Sequence, residues 1–187
     1  EQKERTDKDT GEVTVSDTVR VQGRISQGVA GIKLNDGDHV VGLIVAADHE
    51  TTILTITRNG MAKRSRLGDG EMHPTLGEDG LQKTDSNGEP AFERDGYRRS
   101  NRGTKGVRTM SLDEDDGIVV VRQVADLADQ LFLLTEKGMM MRMPAHQSKE
   151  TKGRVSKGTR LIELRNAKKD GYADQVIFAA RLPAGSV

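Results

Sequence analysis

The chain has 187 residues, 34% apolar content, 29 basic against 29 acidic residues, and no cysteine. That is enough for one soluble domain; it excludes disulfides, thiolate chemistry and zinc-cysteine clusters, and it fits a reducing compartment. No apolar run is long enough to cross a membrane, and Glu1-Gln2-Lys3-Glu4-Arg5 is not the start of a signal peptide.

In chain order, Glu1 to Gly11 reads as a charged, loose segment leading into the alternating Glu12-Val13-Thr14-Val15. The phrase Arg24-x-x-Gln27-Gly28 with Leu34 follows, then a turn at Asn35-Asp36-Gly37 and a strand at Val40 to Val45. Ile53 to Thr57 is short and apolar with Gly60 close behind, the pattern of a strand entering a hairpin. Gly68 to Gly96 is acidic, rich in Gly and short of apolar residues, which is loop composition. After Arg102 to Leu112 come a solvated turn at Asp113 to Asp116, strands at Ile118 to Val121 and Leu131 to Thr135, and an alternating Met139 to Met143 in which Met139, Met141 and Met143 form a core face. No window sustains a helical period, so the fold is all-β with repeated antiparallel sheets in a propeller-type array.

The order of these elements repeats. Arg24-x-x-Gln27-Gly28, Arg102-x-x-Lys105-Gly106 and Arg154-x-x-Lys157-Gly158 each carry a leucine at the same offset, Leu34, Leu112 and Leu164. A second phrase, Thr-x-x-Gly-Met-x-x-Arg, occurs at Thr57 to Arg64 and at Thr135 to Arg142. The last two copies of the first phrase start 52 positions apart and the first two 78 apart, and the surplus of 26 falls in the insertion at about 68–96. Without it the chain amounts to about three units, within the repeat lengths of propeller blades. No Thr-x-x-Gly-Met phrase precedes Arg24, so the chain reads as a single domain fragment, 1–187, of a larger array. Gly28, Gly106 and Gly158 are expected at positive φ or at close strand approaches, not as a phosphate cradle.

Charge is unevenly distributed despite the zero net value. Arg98, Arg99, Arg102, Lys105 and Arg108 form one run; Lys149, Lys152, Arg154, Lys157 and Arg160 form another; Lys63, Arg64 and Arg66 form a smaller one. Acids gather in the insertion and in the turn at Asp113 to Asp116. A single basic run is ordinarily a solvated face, but runs in register on successive units would lay a positive track suited to a phosphate backbone. Aromatic residues make up only 3% of the chain, which disfavours base stacking on single strands and leaves duplex DNA as the better fit.

Val21 to Arg24, Gly28 to Leu34, Gly37 to Val41 and Ile53 to Arg64, continued by Arg102 to Val107 and Asp129 to Gly138, closely resemble the C-terminal domain of the A subunit of bacterial DNA gyrase. The resemblance covers Val19 to Leu182 except the insertion. It implies a β-pinwheel of four-stranded blades, about three of them here, that performs no chemistry and bends duplex DNA around a basic rim. It implies no cofactor in this chain, ATP and Mg being used elsewhere in the whole enzyme. The implied partners are duplex DNA, the gyrase A N-terminal cleavage core and the gyrase B subunit, in a cytoplasmic, nucleoid-associated setting without a membrane. Ser100 to Gly106 keeps only Arg102, Gly103, Lys105 and Gly106 of the family's first-blade box, which leaves a topoisomerase IV subunit open as an alternative. A propeller-like protein-interaction scaffold is the other. Candidate phosphate contacts are Arg98, Arg99, Arg102, Lys105, Arg108, Lys152, Arg154, Lys157 and Arg160, with Arg24, Lys63, Arg64 and Arg142 behind them.

Other constellations carry no chemistry at this level. Tyr97 and Tyr172 lie in no nucleophile motif, and His39, His49, His73 and His146 lack metal-ligand spacing. Asp113 to Asp116 lacks the ligand series of a calcium loop, and Asp85 to Glu89 is turn chemistry.

Overall fold

The computed structural model describes residues 2–6, 13–17, 21–46, 48–152, 155–164 and 173–185. The backbone is all-β, with one short 3-10 turn at Ala145–Gln147 as the only helical element among the described residues. Contacts divide it into two units, Glu1–Asp38 with Ser100–Gly106, and His39–Arg99 with Val107–Val187.

In the first unit, β1 (Gln2–Thr6) and β2 (Val13–Asp17) form an antiparallel hairpin. The charged segment before Gly11 is therefore not loose over Gln2 to Thr6; pairing with the alternating Val13 to Asp17 turns it into strand. Farther on, Ile32 bridges Thr104 in parallel, and Lys33 N–H donates to the Thr104 carbonyl at 2.9 Å.

The second unit holds the core. β3 (Thr52–Thr57) and β4 (Met61–Arg66) form a hairpin extended by β7 (Ile118–Val124) on one side and β10 (Thr159–Arg160) on the other, in the order β10-β4-β3-β7. β8 (Gln130–Thr135) and β9 (Met140–Pro144) form the next hairpin, joined by β11 (Val176–Leu182) in the order β11-β8-β9. Leu54, Ile56, Val120 and Val124 of the first sheet share one apolar cluster with Leu131, Leu133, Met143, Val176 and Ala179 of the second. Burial of this surface is the main stabilising contribution.

The two Thr-x-x-Gly-Met phrases make the same turn twice. Gly60 and Gly138 take φ of 80° and 76°, and their N–H groups donate to the Thr57 and Thr135 carbonyls at 3.0 Å. The buried threonine hydroxyls accept from the following Met61 and Met139 N–H at 3.2 and 3.1 Å. An aspartate clamps each turn from outside the hairpin: Asp116 accepts from Asn59 N–H, and Asp174 from Lys137 N–H, both at 3.0 Å. Asp116 is thus a structural clamp, more than the solvated turn residue its sequence neighbours suggest. Met141 and Met143 face the core as the alternation requires, whereas Met139, at the hairpin end, is 40% exposed.

Two expectations fail here for physical reasons. Val40 to Val45 is not a strand, and Val40, Leu43 and Val45 are largely exposed. Its repeat equivalent, β7, is held by β3, a strand that comes before it in the preceding copy, whereas among the described residues no strand pairs with Val40 to Val45. The insertion is not a bare loop. β5 (Met72–Pro74) pairs with β6 (Phe92–Arg94), with further bridges Leu76 to Gln82 and Thr84 to Pro90. Thr75, Lys83 and Ala91 close a backbone triangle: Thr75 N–H donates to Ala91, Ala91 N–H to Lys83, and Lys83 N–H to Thr75, at 2.8 to 2.9 Å. Backbone pairing, not burial, orders this ribbon, which is why apolar content did not reveal it.

Candidate nucleic-acid interface

The Arg-x-x-Lys-Gly phrase is the element that would carry a phosphate track, and backbone geometry explains its repetition. In the first unit Lys33, nine residues after Arg24, donates its N–H to Thr104, two residues after Arg102. In the second unit Ser111, nine residues after Arg102, donates its N–H to Ser156, two residues after Arg154, at 3.3 Å. The same bond therefore hooks each copy to the next. The phrase glycines Gly28, Gly106 and Gly158 have φ of 79°, 73° and 77°, as expected for them. At Gly158 the chain passes so close to the Ala62 carbonyl that no Cβ fits.

The same offsets recur in the sequence of basic residues. Arg102, Lys105 and Arg108 occupy the same offsets as Arg154, Lys157 and Arg160. In the first unit Arg24, Arg102 and Lys105 are exposed, and Lys105 Nζ donates to Asn35 Oδ1 at 2.8 Å. Lys33, exposed at the hook itself, joins this set; sequence reasoning passed over it because it sits outside the dense basic runs. In the second unit Arg98, Arg99, Arg108, Lys152, Lys157, Arg160 and Arg142 are exposed. Lys157 pairs with Asp113 at 2.6 Å, Arg160 with Glu163 at 3.4 Å, and Arg99 lies 3.5 Å from His49 Nε2. The two carboxylate pairs are exposed, weak and exchangeable, so a phosphate oxygen can replace Asp113 or Glu163. Arg142 stacks over Phe132 at 5.6 Å and keeps its charge outward. Arg154 and Tyr172 lie outside the described residues.

Lys63 and Arg64 are corrections. Lys63 is fully buried and Arg64 is 7% exposed, because β10 and residues 149 to 151 cover the outer edge of β4. Arg64 donates through Nε to the Ser148 carbonyl at 3.3 Å and pairs through Nη1 with Glu150 at 3.3 Å. It holds the segment Ser148 to Thr151 in place, and neither residue is presented to a ligand. Tyr97 is half-buried with its hydroxyl bonded to Thr109, a packing role. No helix among the described residues is long and apolar enough to cross a membrane.

A family model described as "DNA gyrase C-terminal domain, beta-propeller" matches residues 13–47, 51–69, 92–125 and 129–182. The DNA gyrase A subunit of Staphylococcus epidermidis (strain ATCC 12228 / FDA PCI 1200) is 33% identical over 148 residues, 79% of this chain and 13% of that protein. Its counterpart in Staphylococcus aureus (strain MRSA252) is likewise 33% identical over 79% of this chain and 14% of its own length. The chain thus spans about one seventh of these relatives. Among solved structures, the C-terminal domain of DNA topoisomerase IV superposes with a TM-score of 0.64 at 19% identity, covering 89% of this chain and 42% of that one. The DNA gyrase A C-terminal domain gives 0.60 at 20% identity, covering 91% and 46%. These two likenesses establish the β-pinwheel fold, and with the family match over most of its length the chain belongs to the DNA gyrase C-terminal domain family.

Proposed function

We propose that this chain binds duplex DNA through the phosphate backbone and bends it, as the non-catalytic wrapping domain of the gyrase protein that carries the cleavage core. The observation that carries the reading is the repeated backbone hook, Lys33 to Thr104 and Ser111 to Ser156, beside basic residues that recur in the sequence at equal offsets, Arg102, Lys105 and Arg108 and then Arg154, Lys157 and Arg160. Cations repeated along the chain suit a polyanion, and each neutralised phosphate releases counterions. The exposed residues Arg24, Lys33, Arg98, Arg99, Arg102, Lys105, Arg108, Arg142, Lys152, Lys157 and Arg160 form the contact set. Bending stiff duplex costs several kcal/mol, on the order of 1–6 by elastic estimates, so many weak contacts must act together. In the whole enzyme the bent segment would be handed to the cleavage core, supporting ATP-dependent negative supercoiling with the gyrase B subunit, at the nucleoid. Gyrase relatives at 33% identity favour gyrase over topoisomerase IV.

The test is ligation of nicked plasmid at rising protein concentration and low salt, followed by removal of protein and measurement of linking number. A positive shift supports wrapping. Salt-sensitive gel retardation without a shift limits the function to binding, and no retardation at all overturns the reading in favour of a protein-interaction scaffold.

A further inference from the structure

We propose that Asp69, His73 and Asp95 form a site for a divalent transition-metal ion of the zinc class at the neck of the ribbon insertion. One imidazole nitrogen and two carboxylate oxygens, one from each residue, lie within 4.8 Å of one another. His73 Nε2 is 2.8 Å from Asp69 Oδ2, and Asp69 N–H donates to Asp95 Oδ2 at 3.3 Å. Asp69 and Asp95 stand at the two ends of the ribbon, 26 positions apart, so sequence spacing could not reveal the trio. The fold brings them together where the chain crosses itself, with Gly68 at φ 68° against Asp95 and Gly96 at φ 65° against Leu67, an approach too close for any Cβ.

The donor set selects the ion. A mixed nitrogen and oxygen set suits zinc, cobalt or manganese, whereas magnesium and calcium favour oxygen alone. Tetrahedral ligands at about 2.0–2.1 Å from zinc stand roughly 3.3 Å apart, so the widest pair need close by no more than about 1.5 Å. Asp95 can supply that movement, because among the described residues its Oδ1 is held only by Arg66 Nε at 3.5 Å and its Oδ2 only by the 3.3 Å bond from Asp69. Arg66 is shared with Glu50 at 2.7 Å. Asp69 is already oriented, since its Oδ1 accepts the Glu71 N–H at 2.8 Å and so aims Oδ2 at His73. Such outer bonds fix a ligand before the metal arrives. His73 is half exposed, and the trio opens on a groove of about 890 Å³ that also takes in Tyr97 and Lys152, with room for water to complete the coordination. His73 lies in 70–91, which the family match skips, whereas Asp69 and Asp95 lie in matched segments, so the insertion supplies the imidazole and the family-matched segments supply the carboxylates.

The test uses tag-free protein stripped with chelator and titrated with Co²⁺, followed by optical absorption, and then with Zn²⁺ as competitor. One equivalent of Co²⁺ should develop d–d bands that Zn²⁺ bleaches. His73→Gln and Asp95→Asn should each weaken binding by at least about 100-fold, while His49→Gln leaves it unchanged. Paramagnetic shifts from Co²⁺ in the unmodified protein provide a readout that needs no variant, and they should centre on Glu71, His73 and Gly96. No stoichiometric binding, undiminished binding in both site variants, or shifts centred on another histidine would overturn the site.

Discussion

Asp174 carries a pH signature that a single side chain can report. Burial opposes its charged form, but the Thr135 hydroxyl and the N–H groups of Lys137 and Gln175 favour the anion and win, so its carboxyl titrates below the ordinary aspartate value. A carboxyl depressed in the folded state adds stability that is present above the unfolded value of about 3.9 and is lost as pH falls through the folded one. Denaturant unfolding should therefore show stability declining below about pH 4, with a shallower decline in Asp174→Asn; identical slopes would remove Asp174 from the account. Glycine offers a matched pair at this scale. Gly138 and Gly158 share φ near 76°, yet a Cβ at Gly138 meets open space and one at Gly158 meets the Ala62 carbonyl. Gly138→Ala should cost about 1–2 kcal/mol for the left-handed backbone alone, and Gly158→Ala about 3–4 kcal/mol once the clash is added. Equal losses in chemical denaturation would show that β10 can retreat from β4 without cost.

Identical phrases acquire different work according to what covers their edge. Arg64 and Arg142 stand at the same place in the two hairpins, but β4 is flanked by β10 and residues 149 to 151 while β9 ends its sheet. Arg64→Ala should lower stability by about 1–3 kcal/mol, since the Ser148 carbonyl loses a donor and the partner Glu150 is half exposed, and Arg142→Ala should stay within about 0.5 kcal/mol. On DNA the order should reverse, with Arg142→Ala weakening retardation more than Arg64→Ala does in protein that remains folded. The same principle marks what the sequence could disclose. Strands at 52–57, 118–124 and 130–135 were legible because each buries its own apolar side chains. Val40 to Val45 has the right pattern and, among the described residues, no partner strand, and the ribbon from Met72 to Arg94 has partners and almost no pattern. Of the basic candidates, the register of Arg102, Lys105 and Arg108 was legible from spacing. The burial of Lys63 and Arg64 was not, since it depends on a covering segment about 90 positions away in sequence.

At the scale of the molecule, a protein with no net charge must bind a polyanion through the arrangement of its charges, because its summed field gives little attraction. Several of its cations are already paired on the surface, Lys157 with Asp113 and Arg160 with Glu163, so binding exchanges a weak intramolecular pair for a phosphate contact. Such an exchange leaves counterion release from the DNA as the dominant favourable term. Affinity should then fall steeply as salt rises and should vary little with DNA sequence. Replacing Arg102, Lys105 and Arg108 together by alanine should flatten the plot of log K against log salt by about 0.9 for each lost phosphate contact, close to 2.7 if all three engage the backbone. Asp113→Asn should instead strengthen binding modestly by freeing Lys157, with little change in slope, because it removes a competitor and adds no new contact. A triple variant with an unchanged slope would mean that the repeated triplet faces solvent or protein, and that the spacing of Arg102, Lys105 and Arg108 serves only the backbone hook beside it.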